Sequence, residues 1–222
     1  VHVGRGRNRG RCGEKNRCLT VGTGGTGNQR NRSLTLIDGQ TFIVCIATFT
    51  QTSLGSTRLQ PMSTWQKLNK IHSKKIVYRD LKTKNILMGE DGYVFLTDFG
   101  LAKFVKDNKK TESMCGTPYM MAPEIIMNNK YSFEIDWWAL GILTFQLLTG
   151  YYPLYNGNNM KKCFEAILKD DIHYPDHKVI PLSKQCKSFI ELLLAKKPIN
   201  RLGSSNGKDE VLAHPWLKSI SE

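Results

Sequence analysis

Hydrophobic and polar positions change rhythm along this chain. From Pro61 onward, Trp65, Leu68 and Ile71 recur at three-residue steps, the spacing of one face of a short helix that ends before the 76–88 stretch. The run "YSFEIDWWALGILTFQLLTG" is apolar on nearly every side, unlike a solvent-facing helix, and so predicts a buried central helix closed by Gly150. "MKKCFEAILKD", "LSKQCKSFIELLLAKK" and "GKDEVLAHPWLKSI" repeat apolar positions at three- and four-residue steps and predict three more helices. "GYVFLTDFG" reads as a strand feeding a loop, and "IVYRDLKTKNILM" as a polar loop held between apolar anchors. Upstream, "SLTLIDGQTFIVCIATF" offers two β-rich runs about Asp38 and Gly39, a hairpin by its turn chemistry. Residues 1–33 are too rich in Gly, Arg and Asn to form a packed core and are expected to lack fixed structure. The expected fold is mainly α, with a short β hairpin region near the 76–88 loop.

Composition sharpens the division. The chain has 222 residues, 40% of them hydrophobic, enough for one sizeable core. Its net charge of +13 is unevenly built. Residues 1–60 carry eight Arg and one Lys, whereas residues 61–222 carry two Arg and 21 Lys. Only Glu14 and Asp38 are acidic in the first segment, against 17 acids in the second. A boundary near residue 60 therefore separates a poorly structured Arg/Gly/Thr-rich segment from a globular unit. No apolar run reaches the roughly 18 residues of a membrane span, and no secretory signal is visible. The six cysteines form no CxxC pair, which suits a reduced, intracellular protein of the cytoplasm or, with it, the nucleus.

Three strings carry chemistry: "YRDLKTKN", then "TDFGLAK", then "GTPYMMAPE". In that order they resemble the catalytic loop, metal-binding loop and activation-segment end of eukaryotic protein kinases. "YRD", "SMCGTP", "DWWALGIL" and the terminal "RLG" with "HPWL" look like the AGC group of serine/threonine kinases. The resemblance covers residues 70–219 and corresponds to the helical C-lobe. It implies ATP and Mg²⁺ as cofactors and a protein as substrate. In such a loop Asp80 would accept or orient the proton of the substrate hydroxyl, and Lys82 would neutralise the γ-phosphoryl. Asn85 and Asp98 would hold Mg²⁺, a hard ion for which two protein oxygens suffice once phosphates bridge to it. Thr117 would link Asp80 and Lys82.

The same resemblance assigns supporting roles. Ser113 would be a phosphosite, addressed by an upstream activating kinase and read by Arg79 and Lys103; Arg suits such bidentate recognition. Glu124 would pair with Arg201, and Asp136 would hold the catalytic-loop backbone. There are also departures. Thr83 stands where the family usually has Pro, Tyr119 where it has Glu, and Gln146 where many members have a Glu that helps select basic substrates. Cys115 beside the phosphosite is either redox-sensitive or an inert thiol.

A kinase also needs an N-lobe: a Gly-rich loop, a strand Lys on the phosphates and a helix Glu orienting that Lys. "GTGGTG" at residues 22–27 satisfies GxGxxG but carries little weight alone. No Lys occurs between Lys15 and Lys67, and no Glu between Glu14 and Glu90. The N-lobe is accordingly expected to be incomplete or absent, and the chain to be truncated and weakly active or inactive. A non-catalytic interaction module on the same scaffold is the alternative; the intact Asp80, Asn85 and Asp98 argue against it. Nucleic-acid binding through the basic tail is a third reading, weakened because no Phe, Tyr or Trp precedes Phe42.

Overall fold

The computed structural model describes residues 32–33, 64–88, 94–106 and 110–221. The anticipated hairpin about Asp38 and Gly39 and the Gly-rich 22–27 string lie outside the described residues. Of the 1–60 segment, Arg32–Ser33 alone is described, and it is a short strand, β1, where no structure was expected. Helix α1 spans Thr64–His72 and buries Trp65 and Leu68, as the three-residue spacing required. Strand β2 (Ile76–Val77) follows at once. A 3-10 turn at Thr83–Asn85 leads into β3 (Ile86–Met88), and β4 (Val94–Leu96) runs back beside it. The order β1-β3-β4 makes one antiparallel sheet; β2 pairs antiparallel with β5 (Lys103–Phe104) in a second.

Helical packing dominates the rest. Helix α2 is the single turn Pro123–Ile126, opened by proline at its start. Helix α3, Glu134–Thr149, is buried continuously from Ile135 through Phe145, with Trp137 and Trp138 in its first third. Gly150 closes α3 in the left-handed region at φ 80°, and its N–H returns to the Gln146 carbonyl. Helix α4 (Met160–Lys169) is capped by Asn159 and α5 (Lys184–Leu193) by Ser183, each side chain accepting a backbone N–H in the first turn. Helix α5 packs its Phe189, Ile190 and Leu193 face along α3.

The last predicted helix divides into α6 (Lys208–Leu212) and α7 (Pro215–Ser221). Pro215 has no N–H for an intrahelical bond and starts the second helix instead. His214 fills the break: Nδ1 accepts the Trp216 N–H at 3.2 Å, and its carbonyl accepts that of Leu217 at 3.0 Å. No helix among the described residues is long and apolar enough to cross a membrane.

Candidate active site

Two sheets aim two loops at one place. Strand β2 delivers Tyr78, Arg79 and Asp80, and its partner β5 follows the 98–100 turn. In the other sheet Ile86 faces Leu96, so Asn85 and Thr97 become neighbours, and the Thr97 N–H donates to the Asn85 carbonyl at 2.9 Å. This register sets Asp98 one residue beyond the neighbour of Asn85.

Arg79 has φ 69°, a left-handed conformation that costs a non-glycine residue about 1–2 kcal/mol. Buried Asp136, on the first turn of α3, holds it there. Its Oδ2 accepts the Tyr78 N–H at 2.8 Å and its Oδ1 accepts the Arg79 N–H at 2.9 Å. His72 Nε2 lies 2.7 Å from the same Oδ2. The Tyr78 hydroxyl donates to the Thr97 carbonyl, tying one loop to the other. Burial, with Asp80 and Asp98 nearby, pushes the Tyr78 phenol well above its ordinary pKa, so it remains a donor.

Asp80 sits at the centre of the polar set and is 6% exposed. Lys82 Nζ is 2.7 Å from Asp80 Oδ2 and donates to Thr117 Oγ1 at 3.2 Å. The Thr117 hydroxyl donates to Asp80 Oδ1 at 3.0 Å. Asn85 Nδ2 donates to both the Asp80 carbonyl, at 2.9 Å, and Asp80 Oδ2, at 3.0 Å. The structure thus brings together Asp80, Lys82, Asn85 and Thr117. Asp98 stands apart: exposed, at φ 56°, it accepts the Gly100 N–H at 3.1 Å and bonds to none of the other four.

These residues suit a cation bound jointly with phosphate. The Asn85 amide spends its nitrogen on Asp80, leaving its oxygen for a hard ion, and Asp98 keeps one carboxylate oxygen uncommitted. Among the described residues no cluster of three or more His, Cys, Asp or Glu could hold a metal ion by itself. Phosphate oxygens would therefore complete the shell.

The residues expected to act with a phosphate at Ser113 are partly assembled. Exposed Ser113 offers its carbonyl to the Tyr131 hydroxyl at 2.5 Å, and Arg79 Nη1 donates to the same hydroxyl at 3.4 Å. Arg79 is thus one hydroxyl away from Ser113. Lys103 instead donates to Thr111 Oγ1 at 2.7 Å. Arg201, fully buried, makes a bidentate pair with Glu124 at 2.6 and 2.9 Å and also donates to the Glu134 and Ala195 carbonyls.

Sequence reasoning missed His72 and Tyr131. His72 carried a weak signal, lying eight residues before Asp80 at the end of a helix. Tyr131 carried none, because its contacts with Ser113 and Arg79 depend on loops that meet only in the fold.

A profile of the protein kinase domain matches residues 45–217. The cAMP-dependent protein kinase type 3 of Saccharomyces cerevisiae is 38% identical over 154 residues, covering 69% of this chain and 37% of the relative. The serine/threonine-protein kinase AtPK1/AtPK6 of Arabidopsis thaliana is 43% identical over 152 residues, 68% of this chain and 31% of its own. The human cAMP-dependent protein kinase catalytic subunit PRKX is 42% identical over 151 residues, 68% of this chain and 40% of its own. The chain spans about a third of the length of the relatives it matches.

Proposed function

Since the chain belongs to the protein kinase domain family and resembles AGC-type serine/threonine kinases, we propose that residues 61–222 form the C-lobe half of a site for phosphoryl transfer to protein Ser or Thr hydroxyls. The observation that carries this reading is the closed set of bonds around Asp80. Asp80 Oδ1 and Oδ2 orient an incoming hydroxyl and take up its proton. Lys82, already 2.7 Å from Asp80, balances the carboxylate and is placed to meet negative charge on the transferring group. Thr117 keeps Lys82 and Asp80 in register. Asn85 and Asp98 supply oxygens to Mg²⁺, which when bound with ATP would neutralise charge on the phosphates.

The reading extends to rate. Residues 16–66 contain neither Lys nor Glu, so the ion pair that grips the phosphates from above has no candidate there. A charged hydrogen bond contributes about 1.5–3 kcal/mol, and each 1.36 kcal/mol is about tenfold in rate. Losing several such contacts places transfer by this chain alone near background.

The experiment is a phosphotransfer assay with ATP, Mg²⁺ and a generic serine substrate. The chain as given is expected to transfer slowly, and Asp80→Asn to change little. Replacing residues 1–60 with an N-lobe from a related kinase should raise transfer by orders of magnitude and make it depend on Asp80. Robust Asp80-dependent transfer by the unmodified chain would overturn the missing grip. A grafted chain that gained nothing would overturn the kinase reading itself.

A further inference from the structure

Beside the Asp80 cluster lies an aromatic structure that the phosphotransfer chemistry does not use. Two residues after Thr117, Tyr119 occupies the 3-10 turn Pro118–Met120. Its ring stacks on Tyr152 from another loop, with centroids 4.9 Å apart and planes 20° from parallel. The Tyr119 hydroxyl donates to the Gly157 carbonyl at 2.7 Å. Both rings are half-buried, so part of the stack faces solvent.

The support beneath is rigid. Asn156 closes the 152–156 loop by accepting the Tyr152 N–H at 2.7 Å and donating to the Tyr152 carbonyl at 2.8 Å. The Tyr155 ring lies against Gly157 so closely that an added Cβ would sit 2.5 Å from the phenol oxygen, and the Tyr155 hydroxyl accepts the Asn159 N–H at 3.2 Å. A Cβ at 157 would force the Tyr155 ring aside in the loop that receives the Tyr119 hydroxyl.

We propose that the Tyr119–Tyr152 stack is a specificity shelf that selects acceptor peptides bearing an aromatic side chain and acidic, rather than basic, neighbours. The proposal rests on the phosphotransfer reading of the same site. Continuity supplies the first argument. Thr117 touches Asp80, and two residues of chain reach at most about 7 Å, so the shelf begins roughly two or three extended residues from where an acceptor hydroxyl must sit. A peptide crossing Asp80 meets it. Charge supplies the second. Residues 117–120 and 150–164 contain no acid, and α4, which packs against the Tyr119 turn, sets exposed Lys161, Lys162 and Lys169 against one exposed acid, Glu165. Lys84 is exposed in the turn carrying Asn85. A cationic peptide is repelled by these lysines, while a carboxylate is attracted and a ring gains stacking area.

The test is binding of two fluorescein-labelled serine peptides to the full chain without ATP, read by polarisation. One peptide carries Phe and Glu flanking the serine; in the other Arg replaces them. The aromatic, acidic peptide should bind about three- to tenfold more tightly. Tyr119→Ala and Tyr152→Ala should abolish that preference, while Tyr119→Phe, which keeps the stack, should retain it; thermal melts check that each variant is folded. Equal or tighter binding of the Arg peptide, a preference unchanged in Tyr119→Ala, or no measurable binding of either peptide would overturn the shelf. Because no ATP is present, a failure of phosphoryl transfer leaves this result readable by itself.

Discussion

Single residues carry the largest penalties in this fold where charge is buried. Arg201 has no exposed side-chain surface, and its fork matches both Glu124 oxygens. Removing one partner strands the other's charge, so Arg201→Ala should cost about 3–5 kcal/mol, measured as a lowered urea midpoint. Arg201→Lys should recover little, since an ammonium cannot span both oxygens and two carbonyls. His214 makes the second case. Burial lowers its pKa below the ordinary value of about 6.5, so the unfolded chain binds a proton that the folded chain refuses. Its contribution is full above about pH 6.5 and is lost as pH falls from there toward the lower folded value. The slope of stability against pH in that window should flatten in His214→Asn, whose oxygen can still accept the Trp216 N–H; an unchanged slope would clear His214 of the effect.

At the scale of elements, two glycines of the central helix α3 answer the same substitution for different reasons. Around Gly150 an added Cβ meets nothing within 4 Å, so Gly150→Ala suffers only from φ 80°, about 1 kcal/mol. Gly141 is different: its Cβ would stand 2.9 Å from Leu193 Cβ and 2.8 Å from Leu194 Cδ2, at the seam with α5 and just beyond it. Alanine there gains about 1 kcal/mol of helix propensity and meets an overpacking cost of about 1–3 kcal/mol, so a net loss is expected. Double variants separate the cases. Leu194→Ala should partly relieve Gly141→Ala, giving a non-additive pair, and should simply add to Gly150→Ala.

For the molecule as a whole, the stretch around Ser113 joins regions distant in sequence. Tyr131 links Ser113 to Arg79, and Arg79 Nε in turn donates to the Leu101 carbonyl at 2.6 Å. We propose that phosphorylation of Ser113, which would add nearly two negative charges, draws Arg79 from the Tyr131 hydroxyl and Lys103 from Thr111. Proteolysis near Ser113 should then slow, and Arg79→Ala should lose that protection. Equal cleavage with and without the phosphate would remove this switch.

The sequence by itself determined the helices and the polar loop. Periodicity located α1, α4 and α5, an unbroken apolar run located α3, and the residues of "YRDLKTKN" lie close in sequence, so their meeting needs only one turn. It missed the break between α6 and α7, where a three- and four-residue pattern continues across Pro215 and hides the missing N–H. The family resemblance already paired Glu124 with Arg201 and Asp136 with the loop, and the structure makes both contacts, across 77 and 58 residues. Only the tertiary structure decided that His72 meets Asp136 across 64 residues and that Tyr119 finds Gly157 across 38. Local periodicity reports which face of an element is apolar. It says nothing of which polar groups meet once those faces are buried, because that is set by packing α3 against its neighbours and by the register of two short sheets.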